Sequence, residues 1–143
     1  IRADLPKGKV TKANLMEMFP FGNTLMKLEV SGAVIHEMLE HSVEYLPAPF
    51  GGFLQVSGLT FTLDQTAKAG SRVNDIKVGN DLLLPDKLYT LAVNDFTAAG
   101  GDNYTMLKSA KVVGEYGTLE EIFAAYLNQR GIQPAATGRI TVK

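Results

Sequence analysis

Residues 88–93, Leu-Tyr-Thr-Leu-Ala-Val, make an apolar, β-prone run that passes directly into Asn94-Asp95-Phe96-Thr97-Ala98-Ala99-Gly100-Gly101-Asp102-Asn103-Tyr104. A strand that ends on paired glycines and short polar side chains is committed to a loop there, because glycine takes positive φ without a Cβ clash and lets other atoms approach the backbone. The apolar run suits a strand buried on both faces, so Tyr89–Val93 is expected at the centre of a sheet. The loop's polar groups add a chemistry of their own. An ionised Asp102 only accepts hydrogen bonds and has room for two hydroxyl donors, as a sugar would supply, while Phe96 offers a flat face for a planar ring. The same residues also fit a tight turn with a core phenylalanine.

A second stretch, Phe19-Pro20-Phe21-Gly22-Asn23-Thr24, repeats the pairing of aromatic and turn-forming residues, and Arg2 lies near the start of the chain. Two phenylalanines held on turns can sandwich a ring, with the amide of Asn23 at its edge. A further glycine pair, Gly51-Gly52, opens a second candidate binding loop before Phe53.

Between these stretches the periodicities interleave. Thr11 caps a short helix in which Leu15, Met16 and Phe19 recur at helical spacing, and Pro20 stops it. Leu25–Val30 alternates apolar and polar residues as a half-buried strand does. Ser31-Gly32 then caps a helix with Val34, Ile35, Met38, Leu39, Ser42, Val43 and Leu46 on one face and Glu37, Glu40, His41 and Glu44 on the other. Pro47-Ala48-Pro49 ends it, strands are expected at Phe53–Val56 and Leu59–Leu63, and the polar stretch Asp64–Ser71 reads as a mobile loop. Val73–Val78, Gly79-Asn80-Asp81 and Leu82–Leu84 read as a hairpin. A short strand is expected at Lys111–Gly114. Thr118-Leu119-Glu120-Glu121 is a capping box for a helix through Arg130, with Ile122, Phe123, Tyr126 and Leu127 inward and Gly131 as its stop. Gly138–Val142 closes as a strand. The interleaving gives a single α+β domain over residues 1–143, a mixed sheet flanked by helices.

Composition removes whole classes of function. A chain of 143 residues, 45% hydrophobic, closes one core and is too short for a two-domain enzyme. Its 14 basic and 15 acidic residues are well mixed at a net charge of −1, so no basic stripe marks a nucleic-acid partner. With no cysteine there is no disulfide, thiolate nucleophile or cysteine zinc site. No apolar run approaches the ~20 residues of a membrane span. The start at Ile1, without a charged-then-apolar leader, suggests a fragment of a longer polypeptide. Phosphate-ester hydrolysis calls for a metal pair or an equivalent positive clamp. The two histidines, His36 and His41, are five apart on one helix and point in different directions, so both read as structural or solvated. No serine has a histidine placed by a motif. Neither a catalytic residue nor a metal ligand is assigned within the chain.

Taken together, Ile1-Arg2, Pro20-Phe21-Gly22-Asn23, Gly51-Gly52-Phe53-Leu54-Gln55-Val56-Ser57-Gly58 and Asn94-Asp95-Phe96 with Gly100-Gly101-Asp102 resemble, in order and over nearly the whole chain, the C-terminal substrate-binding domain of the 5'-nucleotidase and UDP-sugar hydrolase family. The resemblance implies that a separate N-terminal metallophosphoesterase domain carries two divalent metal ions and the catalytic dyad, while this domain holds the nucleoside. It implies further that Phe21 and Phe96 stack on either side of the base, Asn23 bonds its edge and Asp102 accepts from the ribose hydroxyls. Arg2 would meet ribose or phosphate oxygens, and Gly51 would line the pocket with its backbone. Asn103-Tyr104 stands where many members have glycine with an aromatic. The partners implied are a nucleotide or nucleoside and the N-terminal domain; no cofactor is expected in this chain, and the chain alone is expected to be inactive. The family implies an extracytoplasmic setting: periplasmic, secreted or attached to a cell wall. A non-catalytic nucleotide-binding or scaffolding module with the same fold is the alternative, and metal ligands of the Asp-x-His and Gly-Asn-His-Glu kind upstream would decide between the two. A stand-alone hydrolase fits least, for want of a catalytic constellation. The preferred nucleotide is not legible, since stacking accepts every base.

Overall fold

A computed structural model describes residues 1–133 and 136–143. Its elements are α1 (Lys12–Met18), β1 (Thr24–Ser31), α2 (Gly32–Val43), β2 (Leu59–Leu63), β3 (Val73–Val78), β4 (Asp81–Leu82), β5 (Leu88–Asn94), α3 (Asp95–Ala98), β6 (Lys111–Thr118), α4 (Leu119–Arg130) and β7 (Ile140–Val142). The α+β expectation holds, with the strands divided between two sheets. One is three-stranded and antiparallel, in the order β5-β1-β6. The other is four-stranded, β4-β3-β2-β7, and is mixed because β7 runs parallel to β2.

The local chemistry sets the element ends. Thr11 accepts from the Asn14 N–H while its own N–H donates to the Asn14 side chain, closing α1's first turn. Ser31 is the last residue of β1 and also the N-cap of α2, its hydroxyl accepting from Val34 N–H, so strand and helix meet without a loop. Val78 pairs with Asp81 across Gly79-Asn80, the expected hairpin.

The core sits around α2. Ile35, Met38, Leu39 and Val43 from its inner face pack with Leu28 and Val30 of β1, Phe61 and Leu63 of β2, and Val73 and Ile76 of β3, so the helix joins the two sheets. Each such side chain removed from water contributes roughly 1.5–3 kcal/mol before entropy is counted. Tyr104 and Leu107, just beyond the glycine loop, belong to the same cluster.

Several expectations are corrected. Tyr89–Val93 lies in an edge strand, β5, with alternate residues exposed; the centre of that sheet is β1. Phe53–Val56 is not a strand: it has no ladder partner, and its Leu54 N–H is taken by the Ser42 hydroxyl at 2.7 Å. Glu40 is buried, because its two carboxylate oxygens accept the N–H groups of Arg72 and Val73 at 3.1 and 2.7 Å. Asp64–Ser71 is stapled from both ends. Asp64 accepts from the N–H groups of Thr66 and Ala67 and from the Thr66 hydroxyl, which hold its carboxyl below the usual range, the hydroxyl most strongly, while the Arg72 guanidinium donates to Ala67 O. The strand at Lys111 continues through Thr118. On α4 the expected start and stop are present, with Glu121 accepting from Thr118 N–H and Gly131 at φ 64, but Tyr126 is exposed and no residue of the helix is fully buried.

Candidate functional site

Three connections converge on one cavity. The turn between α1 and β1 brings Phe21 and Asn23. The segment after α2 brings Gly51 and Gly52, and the loop after β5 brings Phe96 and Asp102. With Arg2, all six of the residues singled out in the sequence line one cavity of about 690 Å³, together with Asn94, Thr97 and Tyr104.

Each group in it is held by a specific contact. The Arg2 N–H donates to Met18 O, which ties the first residues to the end of α1, and its guanidinium lies 5.3 Å from the Phe21 ring centroid in cation–π geometry. Phe21 is 66% exposed and Phe96 50% exposed, so neither ring belongs to the core. Asn23 donates from Nδ2 to Asp95 Oδ1 at 2.6 Å, and the same oxygen accepts the Phe96 N–H at 2.8 Å. One carboxylate thus sets the Asn23 amide against the backbone that carries Phe96. Asn94 caps α3 by accepting from Thr97 N–H at 2.7 Å.

Beyond α3 the chain doubles back tightly. Gly100 is left-handed at φ 88, and a Cβ on Gly101 would overlap the Phe96 ring, so the ring can lie against the loop only because residue 101 is glycine. Asp102 and Asn103 are left-handed as well, at φ 50 and 65. Two adjacent non-glycine residues in this region are held there by their surroundings. The Asp102 carboxylate is exposed and, among the described residues, accepts no hydrogen bond. Its charge remains available to hydroxyl donors in the cavity.

The surroundings include two residues to which the sequence assigned no role in the site. His41, at the end of α2, places Nε2 2.8 Å from Asp102 O and Nδ1 3.0 Å from Glu44 Oε2. Tyr104 is 1% exposed, meets the His41 ring edge-on at 4.7 Å and donates its hydroxyl to Gly52 O at 2.6 Å. Burial pushes the Tyr104 phenol up to about 12; a contact with the Ser42 hydroxyl opposes the shift and the charge of Asp102 adds to it. The aromatic at the end of the glycine loop was a visible signal of this anchor. The role of His41 had none, because its partners come from residues distant in the chain.

No group of three histidine, aspartate or glutamate side chains among the described residues is placed to hold a metal ion. The residues present do not fit a dimetal centre. The loops of this small α+β domain gather two exposed aromatic rings, an amide, a guanidinium and a carboxylate around one cavity. Residues 1–109 match the 5'-nucleotidase C-terminal domain, and the chain belongs to that family. It is similar to a trifunctional nucleotide phosphoesterase of Bacillus subtilis, 34% identical over 98% of this chain and 10% of that protein. It is also similar to a snake venom 5'-nucleotidase of Crotalus adamanteus, 34% identical over 93% of this chain and 24% of the relative. Among solved structures, a 5'-nucleotidase precursor from Thermus thermophilus superposes with a TM-score of 0.91 at 37% identity, over 99% of this chain and 29% of that one. The chain therefore spans from a tenth to under a third of the length of these relatives.

Proposed function

We propose that this chain is the nucleoside-binding domain of an extracytoplasmic 5'-nucleotidase-type phosphohydrolase. In this reading the base lies between Phe21 and Phe96, and Asn23 bonds its edge. Asp102 accepts from the ribose hydroxyls, Arg2 meets ribose or phosphate oxygens, and Gly51 contributes backbone to the wall. The phosphate then extends towards a metallophosphoesterase domain elsewhere in the same polypeptide, which would supply the metal-assisted hydrolysis; no step of that chemistry is assigned to residues of this chain. The observation that carries the reading is the convergence of six residues from four separated stretches on one cavity. The extracytoplasmic setting rests on the family and on a relative whose name is that of a venom protein.

Stacking contributes roughly 1–3 kcal/mol per base by alanine substitution, and a charge-assisted hydrogen bond about 1.5–3 kcal/mol before the entropy of binding, so the chain alone should bind adenosine at millimolar to high-micromolar affinity. An NMR titration with adenosine and 2'-deoxyadenosine tests this. Phe96→Ala should weaken both ligands alike, and Asp102→Ala should erase the preference for ribose. Unchanged affinity in a folded Phe96→Ala variant would remove the stacking role. The same chain should not turn over AMP or a chromogenic phosphate ester in Mn²⁺, Zn²⁺ or Mg²⁺, and turnover that follows the folded protein through purification would refute the division of labour.

A further inference from the structure

We propose that His41 is a positioning residue for Asp102, and that through it α2 carries the Gly100–Tyr104 and Gly51–Gly52 loops as one recognition unit. The inference rests on the ribose role of Asp102 proposed above. A backbone carbonyl can only accept, so the 2.8 Å contact between His41 Nε2 and Asp102 O requires the ring to donate from Nε2. Glu44 Oε2, 3.0 Å from Nδ1, can also only accept, so it holds the ring from its other side when both ring nitrogens carry a proton. The carbonyl in question belongs to Asp102 itself, whose φ of 50° and ψ of 31° set the direction of its carboxylate. Holding that peptide holds the left-handed conformation, which an L-residue keeps only when its environment enforces it.

The contacts close a ring of four residues. Tyr104 meets His41 edge-on and donates to Gly52 O. Gly52 in turn lies against Asp102: a Cβ built at Gly52 would sit 3.1 Å from Asp102 Cβ. Packing alone does not account for an imidazole here. The ring also meets Phe50 and Tyr45 edge-on at 5.5 and 6.2 Å, a setting that a phenyl ring would fill equally well. What phenylalanine cannot supply is the N–H aimed at Asp102 O.

The test uses His41→Phe, which keeps the aromatic packing and removes the donor, and His41→Gln, whose amide N–H reaches about as far as Nε2. Affinities for adenosine and 2'-deoxyadenosine are measured by NMR titration of the 143-residue chain, beside wild type and Asp102→Ala. His41→Phe should lose about 3- to 10-fold of the preference for ribose, the equivalent of one net hydrogen bond, with its affinity for 2'-deoxyadenosine kept within about twofold. His41→Gln should recover most of the preference. A wild type that shows no preference, or an Asp102→Ala variant that retains it, refutes the ribose reading and this inference with it. A preference lost in Asp102→Ala but intact in folded His41→Phe overturns the inference alone, and so does an equal loss of both ligands in His41→Phe. Should His41→Phe fail to fold, the wild-type ring decides: its Nε2 ¹⁵N resonance should shift with adenosine and not with 2',3'-dideoxyadenosine. Identical responses to the two would overturn the proposal.

Discussion

Replacing Tyr104 by phenylalanine should destabilise the domain at neutral pH and stabilise it in strong alkali. The change removes one oxygen and no ring volume, so no cavity opens in the core around residue 104. What is lost is the 2.6 Å hydrogen bond to Gly52 O, with a net contribution of about 1 kcal/mol. Against this stands the ionisation of the phenol. Its folded value is about 12, above the ~10 of an unfolded tyrosine, so the folded state keeps the proton to higher pH. The neutral phenol's contribution is therefore complete below about pH 10 and declines as pH rises towards about 12, by at most ~1.4 kcal/mol per unit. The phenylalanine variant has no such term. Urea unfolding of both proteins at intervals from pH 7 to 12 should give stability curves separated by about 1 kcal/mol at neutrality that close beyond pH 10 and cross near about pH 11. The two proteins differ at residue 104 alone, so contributions common to both cancel in the difference. Parallel curves would show that the buried phenol is not what couples this core to alkali.

Glu40→Ala should cost about 3 kcal/mol or more, since two charge-assisted bonds to the backbone at residues 72 and 73 are lost; a urea midpoint unchanged from wild type would contradict this. Gly101→Ala should displace the Phe96 ring, destabilising by about 1–3 kcal/mol and shifting the Phe96 aromatic NMR signals. Wild-type shifts would mean that the close approach is not maintained in solution. Gly22→Ala meets no steric neighbour, so its penalty should be only that of a left-handed alanine at φ 63, about 1 kcal/mol in thermal or urea unfolding; a loss of several kcal/mol would point to a contact not seen here.

The candidate site was more legible in the sequence than parts of the fold. Glycine pairs beside Phe96 and Asp102, and Phe21-Gly22-Asn23 after Pro20, announce close-approach turns because residue type restricts φ locally, and turns are local. Glu40 shows the opposite case. Helical periodicity placed it with Glu37 and Glu44 on an outer face, but two backbone N–H groups some thirty residues onward draw its carboxylate inside. His41 was assigned to that outer face for the same reason, and Asp102, sixty-one residues later, supplies its partner. Tyr89–Val93 was misplaced because an apolar run reports burial without saying which strands flank it. The actual neighbour is β1 on one side only.

The parallel pairing of β2 with β7 separates the order of synthesis from the order of assembly. Phe61 and Leu63 are core residues on β2, yet the strand beside them, in which Ile140 faces Phe61, is made 79 residues later. Closing so long a loop is slow relative to forming the neighbouring hairpin of β3 and β4. While the chain is being synthesised, then, one edge of β2 stays unpaired, and an unpaired strand edge is a template for association with other chains. The nascent domain is then most exposed to aggregation along this edge of β2, and a truncation that removes residues 140–142 would leave it permanently in that condition.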